Sequence, residues 1–279
     1  MATKKAVSKP VKSTAKKPTT TAKKPKQSST VKAVAVSKKT SLFSASPLSR
    51  APFIGALVAE FIGTFLLAAA VVTGQGQPII IMFAIAGIVL LVGTLSGAHL
   101  NPAISIGALV TRKISGLRAL GYVVAQFLGA LAALGLLNAF VGGAPAISAD
   151  AAAYGQQAAS LFEAAKLPAD KEWYVFFAEL LGATILGFAV ATATRIKGDR
   201  VASALTVGFG IFVALLVAAS VAAFVGGSAI VNPAVALSLQ ALKFEMWPLA
   251  AYILAPVIGG VIGFILHDIL RVESDGGND

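Results

Sequence analysis

The chain has 279 residues, 57% hydrophobic and only 13% charged, with a mean hydropathy of +0.82 and a formal net charge of +11. A soluble globular domain is about a quarter charged, so this composition points to a membrane protein instead. With no cysteine and two histidines far apart in sequence, disulfide frameworks, thiolate metal sites and paired-histidine metal centres are excluded, and no cofactor is expected.

Residues 1–50 form a tail of Lys, Ala, Pro, Thr, Ser and Val that holds 13 of the 23 Lys+Arg and none of the 12 Asp+Glu. The basicity therefore belongs to the tail, and the rest of the chain is slightly acidic. Such a segment buries too little apolar surface to fold, and disorder is expected. It lacks the apolar core of a signal peptide. Its charge suits contact with anionic lipid or nucleic acid through counterion release. Residues 272–279 form a short acidic end.

Six apolar spans follow in order: Phe53–Thr73, Pro78–Leu95, Ala119–Val141, Trp173–Thr194, Val201–Val225 and Trp247–His267. No charge occurs from Phe61 to Thr111 or from Val201 to Leu242. Each span has the roughly 20 residues that a membrane-crossing helix needs. Continuous runs rich in Ala, Leu and Gly disfavour strands. Two shorter apolar pieces remain, Pro102–Thr111 and Pro233–Leu242, each about ten residues or 15 Å of helix, half a bilayer. Trp173 and Trp247 open spans and read as interface anchors. Arg112, Lys113 and Arg118 flank one connection, and Arg195, Lys197 and Arg200 another. Threading six spans puts these groups and both termini on one side, expected to be the cytoplasm, in a multi-pass protein of the plasma membrane.

The chain repeats itself. Ala59-Glu60-Phe61-Ile62-Gly63-Thr64 in span one is echoed by Ala178-Glu179-Leu180-Leu181-Gly182-Ala183 in span four. Tyr122 to Gly129 in span three matches Tyr252 to Gly259 in span six. Each half, about 51–141 and about 172–271, reads helix, helix, half-helix, helix. An odd number of spans per half inserts the two with opposite orientation, an inverted repeat. The expected fold is all-α: six transmembrane helices plus two re-entrant half-helices that enter from opposite faces. Irregular backbone at that depth is tolerated where it lines a polar path.

Both half-helices open on the same tripeptide, Asn101-Pro102-Ala103 and Asn232-Pro233-Ala234. Asn is a favoured N-cap and Pro suits the first helical position. The two N-termini would face the centre with roughly half a positive charge each, opposing cations, while the asparagine amides offer donors to a passing solute. Glu60 and Glu179 are carboxyl groups inside spans. Their matched positions suit hydrogen bonding to the irregular backbone before each tripeptide, with a proton relay as the alternative. His99 is expected to pack under the first loop. Gly55, Gly63, Gly129, Gly182 and Gly259 stand where helices would approach closely.

With these motifs in hand, the chain resembles the aquaporin, or major intrinsic protein, family over residues 51–271. Ser96-Gly97-Ala98-His99-Leu100-Asn101-Pro102-Ala103, Gly121-Tyr122-Val123-Val124-Ala125-Gln126 and Pro256-Val257-Ile258-Gly259-Gly260 carry the likeness beside the motifs above. The resemblance implies a channel for water and small neutral solutes, assembled as a homotetramer with one pore per protomer. It also implies a four-residue outer constriction, which family spacing puts at Ile81, Ser220, Ala229 and Val235. Val235 stands where the family usually has arginine, and Ala236 where the glycerol-channel branch usually has aspartate. A wider, more apolar constriction is expected, admitting glycerol, urea or ammonia alongside or ahead of water. A coupled secondary transporter is the rival, since inverted repeats and broken helices also build those. No nucleophile, base and orienting group cluster, so an enzyme is not expected.

Overall fold

A computed structural model describes residues 52–271; the basic tail, Ala51 and the acidic end lie outside the described residues. Six helices are long and apolar enough to cross a membrane. In chain order the elements are α1 Pro52–Thr73, α2 Pro78–Ser96, α3 Pro102–Val110, α4 Gly116–Gly142, α5 Ala149–Ala153, α6 Glu172–Ala193, α7 Arg200–Ala223 and α8 Pro233–Ser238. The last span is composite: α9 Met246–Leu249, a π-helical turn at Ala250–Leu254, and α10 Ala255–Arg271. Among the described residues there is no strand. Successive spans alternate in direction, so the face where α1 begins is called the entry face and the other the far face.

Local chemistry sets the boundaries. Pro78 takes the first position of α2, and Gly97 closes it in the left-handed region at φ 92°. Ser115 caps α4 by accepting from Arg118 N at 3.4 Å, so that helix starts three residues before its apolar run. Asp199 caps α7 through Ala202 N at 2.8 Å. The π turn has a cause in Pro256. Proline has no N–H to give the Tyr252 carbonyl, and its ring crowds the preceding turn. The backbone widens instead, and Ala255 N reaches Ala250 O.

Packing repeats between the halves. α1 lies on α2 and α4, and α6 lies on α7 and α10, while α2 and α7 join the halves. The short helices cross over. α3 packs on α10 and α6, and α8 packs on α4 and α1. Lys113, just past α3, binds Asp268 of α10 at 2.5 Å.

In lipid, helices associate through close packing rather than through expulsion of water, and small residues make that possible. A Cβ on Gly129 would strike the Phe61 carbonyl, and one on Gly259 the matching Leu180 carbonyl. A Cβ on Gly63 would meet Leu100, and one on Gly182 would meet Val231. Gly55 differs from the expectation: it faces open space. Gly259→Ala is therefore expected to destabilise the protein by about 1–3 kcal/mol or more. Gly55→Ala should be neutral or stabilising, since alanine favours helix by about 1 kcal/mol. Thermal unfolding of both variants in detergent checks this.

The two short helices stop in the same way. Lys113 N reaches Ala108 O and Arg112 N reaches Leu109 O, with Arg112 at φ 59°. Ala241 N reaches Ala236 O and Gln240 N reaches Leu237 O, with Gln240 at φ 56°. Both are Schellman ends built on a non-glycine residue. Their lengths differ: α3 has nine residues and α8 only six. The expected Pro233–Leu242 piece thus ends at Ser238, because the chain turns left-handed at Gln240 rather than continuing.

Candidate functional site

Asn101 and Asn232 cap α3 and α8 from an extended conformation. Asn101 Oδ1 accepts from Ala103 N at 2.9 Å, and Asn232 Oδ1 accepts from Ala234 N at 3.0 Å and Val235 N at 3.4 Å. The Asn101 amide donates to Val231 O, and the Asn232 amide donates to Leu100 O, both at 2.9 Å. Each repeat thus holds the other's capping residue. An amide nitrogen carries two hydrogens, and this bond engages one of them, so each asparagine keeps one N–H. Pro102, Ala103, Pro233 and Ala234 are buried behind the caps.

The residues before the caps do two jobs at once. Leu100 and Val231 sit at φ 54° and 63°, a conformation that costs a side-chain-bearing residue, especially a β-branched one. It lets the N–H turn back toward a glutamate while the C=O turns forward to the opposite asparagine.

Glu60 accepts from Leu100 N at 2.7 Å, His99 N at 2.9 Å, Ser96 Oγ at 2.6 Å and Gln126 Nε2 at 2.8 Å. Glu179 accepts from Ile230 N at 2.5 Å and Val231 N at 2.7 Å. Both carboxyl groups are fully buried.

The network around Glu60 continues. Gln126 Nε2 donates to Ser105 Oγ at 2.9 Å, and His99 Nδ1 meets that hydroxyl at 3.1 Å. The matching positions of the second repeat are Ile230, Ala236 and Pro256, which have no side-chain polar atom. Tyr122 donates to Ser96 O at 2.6 Å; its counterpart Tyr252 lies 3.4 Å from Ser228 O. The first loop is bound tightly and the second lightly.

A cavity of about 180 Å³ runs past the two asparagines, with His99, Ile81, Ala229 and Val235 in its wall. His99 both packs edge-on against Tyr122 and faces this cavity. Val190 and Val207 line this cavity and also a second one, of about 330 Å³, that reaches Gly198 and Arg200 at the entry face. The two cavities thus share an apolar pair of side chains between the asparagines and the entry face.

Ser220 lines neither cavity. It is exposed, and its hydroxyl donates to Leu216 O at 2.6 Å. Ala219 lines the cavity in its place. One residue along a helix is a rotation of about 100°, enough to move a side chain from the wall to the outside. Phe162 and Ala164 also line the cavity, from the 142–172 connection. Their composition carried no sign of this, because Ala164 is placed by a long-range bond from its N–H to Leu239 O at 3.0 Å. Among the described residues no group of three or more His, Asp or Glu is placed to hold a metal ion.

A family model described as Major intrinsic protein matches residues 47–267. Glycerol uptake facilitator protein-like 6 of Lactiplantibacillus plantarum is 30% identical over 230 residues, 77% of this chain and 98% of the relative. Aquaporin-2 of Rattus norvegicus is 30% identical over 241 residues, 80% of each chain. The crystal structure of an aquaglyceroporin from Plasmodium falciparum shares the fold, with a TM-score of 0.57 at 21% identity over 80% of this chain and 98% of that one.

Proposed function

Because the chain belongs to the major intrinsic protein family, in which channels pass water or small solutes, we propose that its pore runs between Asn101 and Asn232 and carries water together with small neutral solutes such as glycerol, urea and ammonia. The observation that carries this reading is the pair of asparagine amides. Each has one N–H beyond the cross-repeat bond, and both stand on a cavity otherwise walled mainly by hydrocarbon.

A water between them accepts from both. Its lone pairs are then occupied and its hydrogens point away along the file, which interrupts proton relay. The N-termini of α3 and α8 add partial positive charge at the same depth, opposing cations. Selectivity of this kind needs no chemical step.

The breadth of the solute range rests on the wall. Ile81, Ala219, Ala229 and Val235 provide no side-chain donor and no fixed charge, so nothing there favours water over a neutral polyol by hydrogen bonding. The clusters at Arg112–Arg118 and Arg195–Arg200 support a cytoplasmic entry face, and we place the channel in the plasma membrane. The exposed apolar flanks, Phe83 and Leu91 among them, suit lipid and the neighbouring protomers of a homotetramer.

Stopped-flow light scattering of proteoliposomes tests the function. Water, glycerol and urea gradients should each relax faster than in empty vesicles, with no added proton conductance. Passage of water alone would overturn the solute range, and relaxation no faster than lipid would overturn the channel.

A further inference from the structure

The four wall positions leave a question of width. One isoleucine, one valine and two alanines contain no bulky group, yet a constriction needs one to discriminate by size. The 142–172 connection brings one. Residues 161–167 bring Phe162 and Ala164 to the cavity wall and are tied down by three bonds. Ala164 N donates to Leu239 O and Ala165 N to Ser228 Oγ, both at 3.0 Å. Gln240 Nε2 donates to Glu163 Oε1 at 2.5 Å.

Every anchor belongs to the second motif's surroundings. Ser228 lies four residues before Asn232, and Leu239 and Gln240 form the end of α8. The early stop of α8 is what frees the Leu239 carbonyl region for the connection. Phe162 therefore sits at a position fixed by the same helix that carries Val235.

Its seat is specific. Phe162 is half-buried and lines the cavity. Its ring covers Gly76, in the turn between α1 and α2, at φ 67°. A Cβ on Gly76 would lie 2.9 Å from the ring, so only glycine leaves the ring where it is. An aromatic side chain has just two torsions, and a ring seated on Gly76 while its neighbours are tied to Leu239 and Ser228 makes a stiff wall.

Resting on the channel reading above, we propose that Phe162 is the size-determining residue of this pore: a connection, rather than a membrane-spanning helix, supplies the aromatic wall of the far-face constriction and sets the upper size of neutral solutes.

The absence of cysteine in the chain allows a direct test in reconstituted full-length protein. Phe162→Cys should raise the glycerol-to-water permeability ratio about tenfold. Benzyl methanethiosulfonate should restore an aromatic at that site and return the ratio toward wild type, and dithiothreitol should reverse the effect. Phe162→Trp, which keeps an aromatic and needs no thiol, should lower glycerol flux while water still passes. Tyr154→Cys, 91% exposed on the same connection, should respond to neither reagent. A wild-type ratio in Phe162→Cys that is also indifferent to the reagent would overturn the proposal. Wild-type protein that conducts nothing above bare lipid would instead overturn the channel reading on which it rests.

Discussion

Val235→Arg is expected to lower glycerol permeability about tenfold or more, a barrier rise of roughly 1.4 kcal/mol, while water continues to pass. Val235 is 2% exposed and lines the cavity in the first turn of α8. A guanidinium there would take volume from a space of about 180 Å³ and add a fixed charge with several donors. A water file can hydrogen-bond around such a group, whereas a three-carbon solute must fit beside it. The charge lies near a helix N-terminus, which disfavours it by about 0.3–1 kcal/mol, a small penalty against the change in bore. Proteoliposome swelling in glycerol and water gradients measures both effects. Ser220→Arg is the companion: its side chain points outward, so the solute range should stay as in wild type. Narrowing by Ser220→Arg and not by Val235→Arg would refute this assignment of the wall.

Glu60→Ala should prevent recovery of folded protein, whereas Glu179→Ala should give a weakened but folded channel. Removing the Glu60 carboxyl strands four buried donors: the N–H groups of His99 and Leu100, the Ser96 hydroxyl and one Gln126 N–H. Removing Glu179 strands two, at Ile230 and Val231. At about 1–3 kcal/mol for each buried donor left without a partner, the first loss rivals the 5–15 kcal/mol that typically separates folded from unfolded states (~10 kcal/mol). The second loss is about half as large. Yield of monodisperse protein and thermal midpoint in detergent are the readouts. Equal losses in the two variants would show that hydrogen-bond count does not govern the support of the two loops.

Much of this was legible in the sequence because a membrane simplifies the code. Apolar runs bounded by charges, or by polar and Gly/Pro breaks such as Gly74-Gln75-Gly76-Gln77-Pro78, located all six spans within a few residues, and the repeated tripeptides located the starts of α3 and α8. Where the reading slipped, the cause was information that no linear pattern holds. Pro233–Leu242 is apolar throughout, yet α8 stops at Ser238 because Gln240 turns left-handed. Family spacing points to Ser220, yet the helix turns it outward and puts Ala219 on the cavity. Phe162 sits in a connection of ordinary composition; only the bonds of its neighbours to Leu239 and Ser228 bring it to the wall. The unequal support of the two loops was half visible, since Ile230, Ala236 and Pro256 could be seen to replace His99, Ser105 and Gln126.

The crossed packing of the short helices bears on biogenesis. The main partner of α3 is α10, made after every other described helix, and the Asn101 amide rests on a carbonyl 130 residues further along the chain. The first half therefore enters the bilayer with an open side and an unmatched polar end, and it stays so through the synthesis of five further helices. Closure of the centre therefore waits for Val231 and α10, which come from the second half.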